Sequence, residues 1–212
     1  DITTTKDLTK LPILRKKDII KNFSNLRSSN FRGRYMRQKT GGTTSGDPLE
    51  LILSNDSFYW DKASFFRNWF KYEIGEKVVR YMDPNRFKHK SFYKIVQDYL
   101  FRHKWIHIDE MEIQQGFFGE KLNNIVQFSP KFLKGRPSSL SRLAELCEEM
   151  NFRLIKPDAI FTNGEHLLSC QRNIIQRVFN CKVFDLYGGE GGVSAFECDN
   201  QNGYHLAIDY GI

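Results

Sequence analysis

The stretch from residue 157 to 187 constrains the fold most. "DAIFTN" from Asp158 is a short strand-like run, the next segment carries Leu168, Ile174, Ile175, Val178 and Phe179 at helical spacing, and "KVFDLY" from Lys182 is strand-like again. Apolar runs of strand length on either side of an amphipathic helix read as one strand-helix-strand unit, and such alternation favours an α/β sheet over a bundle or a sandwich. The rest of the chain alternates in the same way. Phe58, Phe65, Phe66, Trp69 and Phe70 fall on one helical face behind Ser57 as a cap. Phe92, Ile95, Val96, Tyr99 and Leu100 form a second stripe, Leu140, Leu143, Ala144, Cys147 and Met150 a third, and "WIHI" from Trp105 reads as a further strand. The stripes are expected to be core. A chain of 212 residues with 40% hydrophobic content can bury such a core.

Residues 27 to 48 are the longest stretch without an apolar period, and so the expected exposed functional loop. Within it, residues 39–48, "KTGGTTSGDP", turn small and hydroxylated in a chain that holds 18 phenylalanines and 9 tyrosines. Gly41, Gly42 and Gly46 allow positive φ and close backbone approach, and Thr40, Thr43, Thr44 and Ser45 add hydroxyl donors, a composition able to wrap a polyphosphate. It is not a Walker-type loop, because Ser45, Gly46, Asp47 and Pro48 stand where the Lys-Ser/Thr pair would be. A hairpin or surface loop would have the same composition.

The net charge of +7 favours an anionic partner without choosing among nucleotide, nucleic acid and lipid. Cys147, Cys170, Cys181 and Cys198 are scattered, with neither a signal peptide nor a run of 18 apolar residues in view, so the expected setting is reducing and cytoplasmic, with no membrane span. The chain opens at Asp1 and stops at "YHLAIDYGI", in a strand-like pattern, and reads as a fragment.

"TGGTTSGDP" resembles the Ser/Thr/Gly-rich phosphate loop of adenylate-forming enzymes, and further motifs in order resemble one branch, the phenylacetate-coenzyme A ligases and CapK-type capsular polysaccharide proteins. These are "LPILRKKDI" from Leu11, "FLKGRPSSLSRLAELCEEM" from Phe132, "FTNGEHL" from Phe161 and "DLYGGEGG" from Asp185. The resemblance covers nearly all 212 residues. It implies an incomplete N-terminal adenylation domain over 1–212, a mixed β-sheet flanked by helices, with the ribose-holding aspartate and the small C-terminal lid domain absent. It also implies a chemistry: ATP activates a carboxylic acid as an acyl-adenylate, and the acyl group passes to coenzyme A or another acceptor, here in capsular or extracellular polysaccharide biosynthesis. Donors and magnesium would stabilise the phosphate charge. Thr40, Gly41, Gly42, Thr43, Thr44, Ser45 and Gly46 would hold the phosphates, with Thr43 and Thr44 catalytic; Gly164 and Glu165 would border the adenine, beside Tyr187 and Gly188 at the end of the next strand. Glu190 would be the magnesium carboxylate, one position earlier than the branch pattern, with Gly191 in the expected place. The bland alternatives are Glu165 as an acid at the start of the following helix and Tyr187 as a core aromatic.

Cys198 lies seven residues before His205 in a segment expected to form a hairpin over 193–210, turning at Asn202-Gly203. The pair resembles the Glu-Cys...Gly-x-His stretch of phenylacetate-type ligases, which implies a structural zinc; as residues alone the two supply half of a tetrahedral site. Arg27, Arg32, Arg34, Arg37 and Lys39 with Phe31 and Tyr35 support a rival reading, a basic nucleic-acid-binding domain, and a noncatalytic nucleotide-binding scaffold of the same family is a third. The strand pattern at "YHLAIDYGI" is expected to expose a sheet edge and favour association, as a homodimer.

Overall fold

The computed structural model describes residues 3–26, 29–30, 32–33, 35–39, 48–54, 73, 75–81, 96, 99–100, 103–106, 118–153, 156–188 and 194–206. The chain divides into two compact units, Asp1–Ser64 and Phe65–Ile212.

In the first unit a 3-10 helix, Thr5–Lys10, and a short helix, Lys16–Lys21 (α1), precede a two-stranded antiparallel ribbon of Tyr35–Lys39 (β1) and Glu50–Ser54 (β2). Asp7 organises the first turn. Its Oδ2 accepts the backbone N–H groups of Thr3 and Thr4 at 3.1 and 2.9 Å, and Lys10 donates to its Oδ1 at 2.5 Å. The Lys10 ammonium above all, then these N–H donors, hold the carboxyl well below the usual carboxylate range. The ribbon runs in register from Tyr35↔Ser54 to Lys39↔Glu50, and Arg37 and Glu50 meet at 3.2 Å across it. The strand β1 thus falls inside the 27–48 stretch read from sequence as loop. The exposed Tyr35, Arg37 and Lys39 supply no apolar alternation for a pattern to detect.

The second unit is a mixed sheet of Val78–Tyr81 (β3), His103–Ile106 (β4), Phe132–Gly135 (β5), Ala159–Asn163 (β6), Lys182–Gly188 (β7), Ser194–Glu197 (β8) and Tyr204–Leu206 (β9), in the order β4-β3-β5-β6-β7-β8-β9. The five strands from β4 to β7 in this order are parallel; β8 pairs antiparallel with β7, and β9 antiparallel with β8. Helices Phe118–Phe128 (α2), Pro137–Glu149 (α3) and Ser169–Phe179 (α4) precede β5, β6 and β7 in turn. The three crossovers step across the sheet in one direction, so right-handed connections put all three helices on one face. There Leu122 and Ile125 of α2, Leu140, Leu143 and Cys147 of α3, and Ile175 and Phe179 of α4 pack on Val79, Leu133, Ile160 and Val183. The opposite face is an aromatic row: Phe132, Phe161 and Phe184 follow one another at centroid separations of 5.8 and 6.0 Å, with Leu186 and Phe196 beside them. Burial on both faces explains why β6 and β7 read as continuous apolar runs.

The helix ends follow local chemistry. Pro137, whose missing N–H costs nothing in a first turn, opens α3, and Asn180 closes α4 in the left-handed conformation at φ 48°. Three residues of the expected core stripes, Val96, Tyr99 and Leu100, are helical but exposed, and Met150 is half exposed just past the end of α3. A helical stripe fixes which residues share a face, not how far along the helix its neighbour extends.

Gly135 ties β5 to β3. A Cβ there would lie 2.7 Å from the Tyr81 carbonyl oxygen and 3.1 Å from Leu140. Gly135→Ala should therefore lower stability in urea by about 1–3 kcal/mol, by overpacking against backbone. Gly119→Ala, where a Cβ meets nothing within 4 Å at the start of α2, should lose nothing and gain up to about 1 kcal/mol; equal effects at the two positions would contradict the close approach.

Candidate functional site

Parallel strands present their carboxyl ends along one sheet edge. The register aligns Tyr81, Gly135, Thr162 and Asp185 across β3, β5, β6 and β7, so the residues that follow each emerge together. The chain first steps from β3 outward to β4, then returns past β3 to β5 and onward to β7. This reversal lies between β3 and β5, and ligands of open α/β sheets bind outside the carboxyl ends at such a point.

Three segments line the edge. Gly135-Arg136-Pro137-Ser138 leads from β5 directly into α3, Asn163-Gly164-Glu165 leaves β6, and Tyr187-Gly188 ends β7. Gly164 takes φ +86°, a left-handed conformation that a side chain would strain, and this turns Glu165 back toward the neighbouring strand end. There the Glu165 carboxylate accepts the backbone N–H of Ser138 at 3.1 Å and lies 3.8 Å from an Arg136 nitrogen. A negative group on an orphan N–H of a helix start is favourable, so Glu165 caps α3, the helix before it in sequence. This corrects the alternative in which it serves the following helix: α4 begins at Ser169, and its first turn is closed by Gln171, which accepts the Leu168 N–H at 3.1 Å. Tyr187 is 62% exposed, so it is not a core aromatic.

Just beneath this edge lies a buried polar row. Thr162, Asp185, Glu197 and Tyr204 occupy adjacent strands, and the first three are at most 5% exposed. The Thr162 hydroxyl donates to Asp185 Oδ1 at 2.6 Å, and the Tyr204 hydroxyl donates to Asp185 Oδ2 at 2.5 Å. The Asp185 N–H donates to Glu197 Oε2 at 2.7 Å. Arg172 of α4 grips both oxygens of Glu197, at 2.7 and 2.9 Å, and reaches the Val183 carbonyl at 2.6 Å. Gln201 also donates to that carbonyl. Two neighbouring carboxylates would repel in a low-dielectric interior, and the guanidinium fork with the two hydroxyl donors offsets that cost. Burial first, then the bond to Asp185, pushes the Tyr204 phenol up, so it remains a donor through neutral pH.

The structure brings Gly164, Glu165, Tyr187 and Gly188 to one edge. Thr40, Gly41, Gly42, Thr43, Thr44, Ser45, Gly46 and Glu190 lie outside the described residues. The strands that flank 40–49 pair up to Lys39↔Glu50. Cys198 immediately follows β8, and His205 is the middle residue of β9, paired with Phe196. Their hairpin has a six-residue connection, 198–203, with Asn202-Gly203 at its end rather than forming a two-residue turn. Two donors do not complete a tetrahedral zinc site, and among the described residues no group of three or more His, Cys, Asp or Glu is placed to hold a metal. Burial pushes the Cys147 and Cys181 thiols up to about 12, so neither is a thiolate at neutral pH. No described helix is long and apolar enough to cross a membrane.

Arg136, Ser138, Arg172, Asp185, Glu197 and Tyr204 escaped the sequence reading as site or support residues. The available signal was a charge inside an apolar run, Asp185 in "KVFDLY" and Glu197 in "SAFE". Arg172→Met should leave two buried carboxylates without their cation and cost about 3–5 kcal/mol in urea unfolding. Arg172→Met combined with Glu197→Gln should recover part of that loss, because the unpaired charge is gone; additive losses would mean that the pair contributes no coupling.

No protein-family model matches the chain. It is similar to Protein CapK of Staphylococcus aureus, 25% identical over 217 residues that cover 94% of this chain and 44% of CapK. Its fold is that of the N-terminal domain of adenylate-forming ligases. An open conformation of 2-hydroxyisobutyryl-CoA ligase in complex with 2-HIB-AMP and CoA superposes with a TM-score of 0.57 at 15% identity, over 91% of this chain and 47% of the ligase. ATP-bound MatB from Rhodopseudomonas palustris gives 0.50 at 16% identity, over 79% and 31%. The chain spans less than half the length of each of these relatives.

Proposed function

We propose, from the chain's kinship with CapK and its adenylate-forming fold, that it is the nucleotide-binding part of an enzyme that activates a carboxylic acid with ATP. The observation that carries this reading is the sheet edge: a left-handed Gly164, the adjoining Glu165 and an exposed Tyr187 with Gly188 form neighbouring strand ends where α/β folds bind ligands. The adenine would lie against the backbone at 164–165 and the face of Tyr187. Residues 40–46 would receive the β- and γ-phosphates through backbone N–H and hydroxyl donors, with Thr43 and Thr44 acting on the departing pyrophosphate.

In the reaction a carboxylate oxygen forms a bond to the α-phosphorus, and the bond from that phosphorus to the bridging oxygen breaks. Pyrophosphate leaves with the electron pair; the thiol of coenzyme A or another nucleophile then bonds to the acyl carbon, the bond from that carbon to the phosphate oxygen breaks, and AMP leaves. Glu190, two residues beyond Gly188, would hold magnesium, whose charge offsets that of the phosphates. Zinc at Cys198 and His205 requires further ligands from outside the described residues, and no step depends on it. A cytoplasmic, capsular or extracellular polysaccharide pathway is the proposed setting, and a homodimer the proposed assembly.

The test uses the complete gene product. Thr43→Val with Thr44→Val keeps shape and removes two donors, so ATP affinity by calorimetry should fall by about 1–3 kcal/mol. Carboxylate-dependent exchange of labelled pyrophosphate into ATP should occur in the wild type. Unchanged ATP affinity would overturn the phosphate-loop assignment, and ATP binding without exchange for any of a panel of acyl and aryl acids would select the noncatalytic scaffold.

A further inference from the structure

We propose that Tyr204 is a positioning residue for the nucleotide end of β7, fixing the Tyr187 ring through a hydroxyl anchored on buried Asp185. This rests on the nucleotide reading above and gives a role to Tyr204, to which the resemblance assigns none. Tyr187, the penultimate residue of its strand, is 62% exposed, and an exposed tyrosine samples several rotamers unless a neighbour restricts it. The neighbour is Tyr204: the two rings pack edge to face, with centroids 6.3 Å apart and planes at 66°. Tyr204 itself lies on the outermost strand of the described sheet and is 45% exposed, so strand pairing and burial alone fix its ring poorly. Its hydroxyl supplies the constraint, at 2.5 Å from Asp185 Oδ2.

Asp185 is held in turn. Thr162 donates to its other oxygen, and its N–H is bound to Glu197, which Arg172 grips from α4. The chain of contacts therefore runs from a helix on the sheet face, through two buried carboxylates, to one exposed aromatic ring beside Gly188. A ring already ordered before binding avoids an ordering cost of roughly two- to ten-fold in affinity. Tyr204 need not touch the nucleotide to have this effect.

The experiment compares ATP with inorganic tripolyphosphate, which shares the phosphates and lacks the base, by calorimetry on the complete protein. Tyr204→Phe keeps the ring and loses the anchor. It should weaken ATP about three- to ten-fold, leave tripolyphosphate unchanged, and add little to a Tyr187→Ala background. Asp185→Asn, which loses an acceptor while retaining size, should weaken ATP selectively as well, so the inference does not hang on one variant. Equal loss for ATP and tripolyphosphate would reveal a general structural role and overturn the inference. Wild-type ATP affinity in Tyr204→Phe, with a loss in Tyr187→Ala, would overturn it while leaving the nucleotide site standing. A wild type that binds no ATP would remove the nucleotide reading and this inference with it.

Discussion

The grip of Arg172 on Glu197 is the interaction on which the right-hand half of the sheet depends. Strands β6 and β7 are joined through α4 in the ordinary α/β manner, but β8 and β9 enter antiparallel and have no crossover helix of their own. A ladder of three pairs joins β8 to β7. One guanidinium nitrogen, Nη2, adds a charge-assisted link from the helix layer to both carboxylate oxygens of Glu197 on β8, and that carboxylate binds the backbone of β7. An ion pair in this position is weak evidence for net stability, since an apolar pair of the same volume often does as well. Its value here is register: a slip of one residue would send Glu197 to the aromatic face among Phe161, Phe184 and Phe196.

The same polar row bounds what the edge above it can do. One residue beyond Thr162 the backbone of β6 reaches Asn163 and the left-handed turn at Gly164; two residues beyond Asp185 stands Tyr187. Glu165 joins the β6 end to the start of α3, so neighbouring loops are cross-braced by a single carboxylate. An edge built in this way presents backbone and an aromatic face in fixed positions. The basic segment of the first unit differs: there Arg37 pairs with Glu50 across the ribbon. An exposed pair of that kind contributes little to stability.

The strand-helix-strand unit was legible because β6 and β7 are buried on both faces and α4 has an apolar stripe, so each element shows its own period. The strands β3, "VVRY", and β5, "FLKG", are only four residues long and each contains a basic residue, which hides them in a chain rich in lysine and arginine. The edge residues Gly164, Glu165, Tyr187 and Gly188 were reached through motif resemblance, and their shared edge needed the parallel register. The link from Glu165 to Ser138 spans 27 positions and the one from Asp185 to Tyr204 spans 19, separations at which no local periodicity carries information. The apolar surface that would select an acyl group looks the same in sequence as core.

The nucleotide reading proposed above places ATP at the carboxyl edge of β6 and β7. Hydrogen exchange on the complete protein, with and without saturating ATP, tests it directly, because amides that a ligand covers or orders slow their exchange. Binding there should protect residues 163–166 and 186–188, together with residues 40–46, and leave the opposite, amino-terminal ends of β6 and β7 little changed. Protection confined to the first unit, with the 163–166 and 186–188 amides unchanged, would contradict it.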